Sequence, residues 1–153
     1  NNGDVLSGKI SISRPGKVRV EYNEVPLLII SDGKKIASIN KELKSITFYR
    51  IKDIPLALLL FKNFSLDNVQ ILDYSDFENQ LRIRLKEKNK NSEGFIDVLF
   101  EKNTFTLKKW IVFTNKVNKT EVLLENIKLN VNIQNKIFQI DESDPRHPIW
   151  RDY

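Results

Sequence analysis

The sequence predicts a mainly β domain with one short helix, folded as an antiparallel meander. Three observations predict it. Short segments of strand character recur along the 153 residues, turn signals separate most of them, and several segments alternate strictly between polar and apolar residues. A chain of this length is the size of one ordinary domain and buries about 70% of the surface its unfolded form exposes. The hydrophobic share of 41% and the charged share of 29% are those of a globular protein. No apolar run approaches the ~20 residues needed to cross a bilayer as a helix.

Strands are expected over 7–13, 17–22, 27–31, 35–40 and 45–51. Ile10 and Ile12 oppose Lys9, Ser11 and Ser13, while Val18, Val20 and Tyr22 oppose Lys17, Arg19 and Glu21, so each strand has a wet side and an apolar side. Pro15-Gly16 suits a type II turn and Asp32-Gly33 a tight hairpin. In "PLLII" neighbouring residues are all apolar, so the facing of Leu28 and Ile30 stays open.

The stretch "KDIPLALLLFKN" at 52–63 interrupts the meander and predicts a short helix. Asp53 can cap it, Pro55 suits its first turn and Asn63 can end it. From Leu56 to Phe61 it contains no polar residue, so such a helix must be covered on most sides. It could plug a filled core or act as a lid over an apolar ligand; periodicity leaves both open.

Strands resume over 69–74, 80–86, 95–101, 107–114 and 119–131, the last long enough to hold a bend. Leu81, Ile83 and Leu85 oppose Arg82, Arg84 and Lys86. Asn- and Lys-rich stretches at 88–93, 102–104 and 115–119 suit hairpin loops. Trp110 lies in "WIVF", where the facing is again ambiguous. Beyond Ile140 an irregular tail is expected, either pinned by Trp150 or partly disordered. Alternation leaves two packed sheets and one curved, covered sheet equally open.

The residues offer little for catalysis. With no Cys and a single His, His147, the common zinc sites and Cys-His nucleophilic pairs are unavailable. A Gly-x-Ser-x-Gly elbow and the phosphate-binding Gly-rich patterns are missing, and acidic pairs such as Asp73 with Asp76 read as surface charge. No catalytic residue, metal or cofactor is expected. The net charge of +5 is compatible with nucleic acid, anionic lipid or an acidic protein.

Four stretches in order, "GKISISRPGKVRVEY", "PLLIISDGKKIASIN", "ITFYRIKDIPLALLLFKN" and "LKKWIVFTNKVNKTEVLLENIKLNVNI", resemble the LolA family of periplasmic carriers of outer-membrane lipoproteins. The resemblance covers about residues 7–138. It implies one domain over 1–153, a strongly curved antiparallel sheet forming an incomplete β-barrel, and a helical lid over its concave apolar face. The family's N-terminal helix is expected to be missing from this chain.

The resemblance further implies a non-enzymatic chaperone. It would take acylated lipoproteins from the inner-membrane Lol transporter complex, shield their acyl chains and pass them to an outer-membrane acceptor or to the outer membrane itself. Arg14 corresponds to a lid latch, its guanidinium holding lid carbonyls. Val18, Val20, Tyr22, Leu28, Ile30, Leu56, Leu59, Leu60, Phe61 and Trp110 are the expected lipid-binding residues. A monomer in the periplasm, without nucleic acid, is expected. The alternatives are a LolB-like outer-membrane acceptor and a basic β-domain that binds nucleic acid or protein.

Overall fold

Two glycines in the left-handed region close the first and third turns. Gly16 has φ +71° and Gly33 φ +96°, values that L side chains rarely adopt. A Cβ on Gly33 would also lie 3.2 Å from the Pro15 carbonyl oxygen. Around these turns the chain forms β1 (Gly8–Ser13), β2 (Lys17–Tyr22), β3 (Leu27–Asp32), β4 (Lys35–Asn40) and β5 (Ser45–Arg50), hydrogen-bonded in that order. All four pairings are antiparallel. The Ser31 hydroxyl donates to the Gly16 carbonyl at 2.6 Å and accepts from the Gly33 N–H at 3.3 Å, tying both turns together at one end of the sheet.

A second sheet contains β6 (Val69–Phe77), β7 (Gln80–Glu87), β8 (Phe95–Glu101), β9 (Thr106–Phe113) and β10 (Lys119–Leu123), in the order β10-β9-β8-β7-β6. It is antiparallel throughout, with register shifts between Ile71 and Asp73 and between Leu99 and Phe100. The structure, a computed structural model, describes residues 3–50, 67, 69–88, 94–115 and 118–140. Two compact units result: Asn1–Lys62 with Asn132–Tyr153, which contains the first sheet, and Asn63–Val131, which contains the second.

These sheets correct the expected fold. Among the described residues the protein is all β, with two five-stranded sheets, a 3-10 turn at Asn135–Phe138 and no α-helix. One continuous curved sheet forming an incomplete barrel under a helical lid is not what they build. Each five-strand run completes its ladder with its own sequence neighbours, and among the described residues no ladder joins the runs. The helix expected over 52–63 and Trp150 lie outside the described residues. The strand expected over 119–131 ends at Leu123. "IKLNVNI" alternates as a strand would, but Asn126 and Asn130 take φ +52° and +56° and break the extended repeat.

Pairing parity assigns every residue of the first sheet to a face. Leu28, Ile30, Ala37 and Ile39 pair across β3 and β4 and form a buried cluster, against which Ile46 and Ile140 pack. The 3-10 turn sits on β2 and β3 and buries Phe138. It is held there by Arg19 Nη1, which donates to the Ile137 carbonyl at 3.1 Å, and by Lys17 Nζ, which donates to Asn135 Oδ1 at 2.9 Å. Full burial of an aliphatic or aromatic side chain contributes about 1.5–3 kcal/mol. This cluster is therefore the strongest local source of stability among the described residues of its unit. Leu28→Ala should lower the unfolding free energy in urea by about 2–5 kcal/mol, whereas the more exposed Ile12→Ala should cost under about 1 kcal/mol. Equal losses would remove this face as the core.

Candidate functional site

Val18, Val20 and Tyr22 share one face of the first sheet. Val18 pairs with Ile12 and Ser31, Val20 with Ile10 and Ile29, and Tyr22 with Gly8. Ile36, opposite Ser31, extends the face into β4. Val18 is buried at 6% exposure, Val20, Tyr22 and Ile29 are half-buried, and Ile12 is 39% exposed. Burial pushes the Tyr22 phenol above its ordinary value of 10. The result is an apolar band across four strands, opposite the face that carries Phe138 and Ile140.

The other expected lipid-binding residues do not all join this band. Leu28 pairs with Glu21 and Ile39, and Ile30 with Arg19 and Ala37, which places both on the opposite face at 0% exposure. They belong to the filled core. Trp110 is in the second unit, paired with Val98 and Val122, on the face that also carries Leu81, Ile83, Leu85 and Ile96. Arg14 is exposed at the β1–β2 turn. Leu56, Leu59, Leu60 and Phe61, and with them the segment that Arg14 was expected to latch, lie outside the described residues.

Sequence reasoning missed an organised polar face on the second sheet. Arg84 Nε donates to Asp97 Oδ1 at 2.7 Å and its Nη2 to Oδ2 at 2.8 Å, a bidentate pair around a buried carboxylate. The guanidinium lies 4.4 Å over the Phe95 ring and 5.5 Å from that of Phe113, which stack at 4.3 Å. Its hydrogen bonds to Asp97 raise the Arg84 pKa. Arg82 Nη2 donates to Asp73 at 2.8 Å and to Ser75 at 2.7 Å. Alternation in "LRIRLK" signals that these arginines share a face. Their partners arrive from β6 and β8, which no local pattern announces.

The arrangement can adsorb apolar chains; its charges are largely spent on one another. Among the described residues no group of three or more His, Cys, Asp or Glu could hold a metal ion. No helix among them is long and apolar enough to cross a membrane. The chain matches the family model for the outer membrane lipoprotein carrier protein LolA over residues 1–141. The chain belongs to the LolA family. That match takes in both sheets, the apolar band and the 3-10 turn that backs it.

A curated relative, Protein SDS23 of Debaryomyces hansenii, is 26% identical over 153 residues. The match covers 94% of this chain but 26% of that relative, so the LolA-family chain spans about a quarter of its length. This likeness assigns the chain no activity.

The electrostatics of the second sheet carry a pH signature. Glu121 is held down to about 2 by hydrogen bonds from Lys109 at 2.8 Å and Lys119 at 2.7 Å. A lowered carboxylate stabilises the fold above its unfolded value of 4.5, and the contribution is lost as pH falls toward about 2. Solvent screening at this exposed site limits it to on the order of 1 kcal/mol. Glu121→Gln should therefore flatten the stability profile between pH 4.5 and about 2, measured by urea unfolding across that range. An unchanged profile would show that the two lysines do not hold this carboxylate.

Proposed function

We propose that this LolA-family chain is a periplasmic, non-enzymatic chaperone that shields lipoprotein acyl chains on the Val18–Val20–Tyr22 face. One observation carries the proposal: that face is apolar across four strands yet leaves Val20, Tyr22 and Ile29 half-buried, while the opposite face is closed by residues 135–140. Removing acyl chains from water is worth roughly 0.8 kcal/mol per methylene, so an anchor represents tens of kcal/mol in total that must be hidden during an aqueous crossing. A broad apolar surface supplies that shielding without bond chemistry, so the role calls for no catalytic group or cofactor. Cargo would arrive from the inner-membrane Lol transporter complex and leave at an outer-membrane acceptor or at the membrane itself.

Release requires that enclosure be reversible. Half-buried side chains suit this, because they gain area with cargo and lose it without leaving a cavity inside a packed core. The test compares one lipoprotein in acylated and unacylated forms. The acylated form should bind at least about tenfold more tightly, and Val20→Asp, which places a carboxylate amid the acyl chains, should abolish most of that preference. Equal binding of the two forms would overturn acyl recognition. Leu28→Val, on the closed face, should leave the preference intact although it lowers stability.

A further inference from the structure

The strands of the first sheet carry all their charges on one side. By pairing parity every Lys, Arg, Asp and Glu of β1–β5, from the Lys9–Glu21 pair to the Lys35–Arg50 pair, falls on the face that residues 135–140 close. The face of Val18, Val20 and Tyr22 therefore has no charged residue on any of its five strands. Toward β4 and β5 its apolar side chains give way to neutral polar ones. The row of Ile10, Val20 and Ile29 continues into Ser38 and Thr47, and the row of Leu27 into Asn40 and Ser45.

A face without charge discriminates among acyl ligands. The carboxylate of a free fatty acid laid on it would lose water and find no cation, which is costly, whereas an ester or amide carbonyl carries no charge and needs only a hydrogen-bond donor. Ser38 and Thr47 supply such donors. They stand directly opposite each other on β4 and β5, a placement that sets Cβ atoms about 4.5–5.5 Å apart. On the same face the Ser31 hydroxyl is spent on the Gly16 carbonyl, but those of Ser38 and Thr47 make no hydrogen bond among the described residues. Ser38 is half-buried at the margin of the apolar band and Thr47 is exposed beside it.

We propose that this face selects acyl chains held on a neutral ester or amide linkage and rejects free fatty acids, with Ser38 and Thr47 donating to the linkage carbonyl. This selectivity rests on the Val18–Val20–Tyr22 face being the acyl-binding surface, and adds to it the chemistry of the cargo's polar end. The chains lie on β1–β3, and the linkage reaches β4 and β5, about 10–14 Å across the sheet from β2. The cations that could have paired a carboxylate, Lys17 and Arg19, are on the other face, bonded to Asn135 and to the Ile137 carbonyl. A hydroxyl gives a carbonyl oxygen its hydrogen bond without bringing charge into the band.

The test is calorimetric titration of the full chain at neutral pH with methyl laurate, laurate and dodecyl methyl ether. The ester should bind at least about tenfold more tightly than the carboxylate. It should bind about three- to tenfold more tightly than the ether, which lacks the carbonyl. Ser38→Ala with Thr47→Val should bring the ester to within about twofold of the ether and leave the ether's affinity unchanged. Should that double variant fail to fold, Thr47→Val alone, at an exposed strand position, should lower the ester preference about twofold. Ser11→Ala, on the closed face, should leave it intact. Laurate binding as tightly as its ester, equal binding of ester and ether, or a preference that survives the double substitution would each overturn the selectivity while acyl shielding stands. Binding of none of the three would overturn acyl shielding itself and the selectivity with it. A lipoprotein anchor and a diacylglycerol present the same linkage. Displacement of methyl laurate by an acylated lipoprotein and not by its unacylated form supports the first source, and displacement by dioctanoylglycerol alone supports the second.

Discussion

The closing of one face of the first sheet by residues 135–140 is the contact on which the rest of that unit depends. It joins groups 118 positions apart, through Arg19 to the Ile137 carbonyl and Lys17 to Asn135. Ile140 reaches the Leu28, Ile30, Ala37 and Ile39 cluster. Ordering so distant a segment costs loop-closure entropy, and the burial of Phe138 with Ile140 is what offsets it. Once that face is filled, strict strand alternation leaves Val18, Val20, Tyr22 and Ile29 on the other. Selecting a core and selecting a candidate binding face are thus one event.

Charge is partitioned with similar economy. In the second sheet Arg84 with Asp97, Arg82 with Asp73 and Lys109 with Glu121 pair across neighbouring strands and Lys119 joins Glu121 within β10, so its polar face is nearly self-neutralised. Breaking the Arg84–Asp97 pair would leave a buried carboxylate without its principal partner, the situation in which a buried ion pair matters most. The first sheet uses its cations differently. Arg19 is paired with Glu21, but the turn end gathers positive groups around a carboxylate committed to backbone N–H bonds.

The proposed carrier role requires that an apolar cargo be held without being held permanently. A surface that is half-covered meets both demands better than a filled core or a bare patch. The core side chains Leu28 and Ile30 are committed to the fold, and displacing them for cargo would cost their packing. Val20, Tyr22 and Ile29 retain accessible surface to offer.

The sequence by itself determined the ten strands, most of their boundaries and the two-sidedness of β1, β2 and β7, because side-chain alternation and turn chemistry are local. Gly16 and Gly33 stand where positive φ is needed, and "LRIRLK" declares its wet face. It also carried the family. It did not decide the facing of "PLLII", where every neighbour is apolar and period-2 reading has nothing to contrast. The resemblance groups Leu28 and Ile30 with Val18 and Val20, whereas register puts the two pairs on opposite faces. Nor could it show that "IKLNVNI" is unpaired, since its left-handed asparagines are backbone facts. The separation into two sheets, the partners of Arg84, and the return of Phe138 and Ile140 over β3 were decided only by tertiary structure. Each depends on contacts between residues far apart in the chain, and local periodicity holds no information about them.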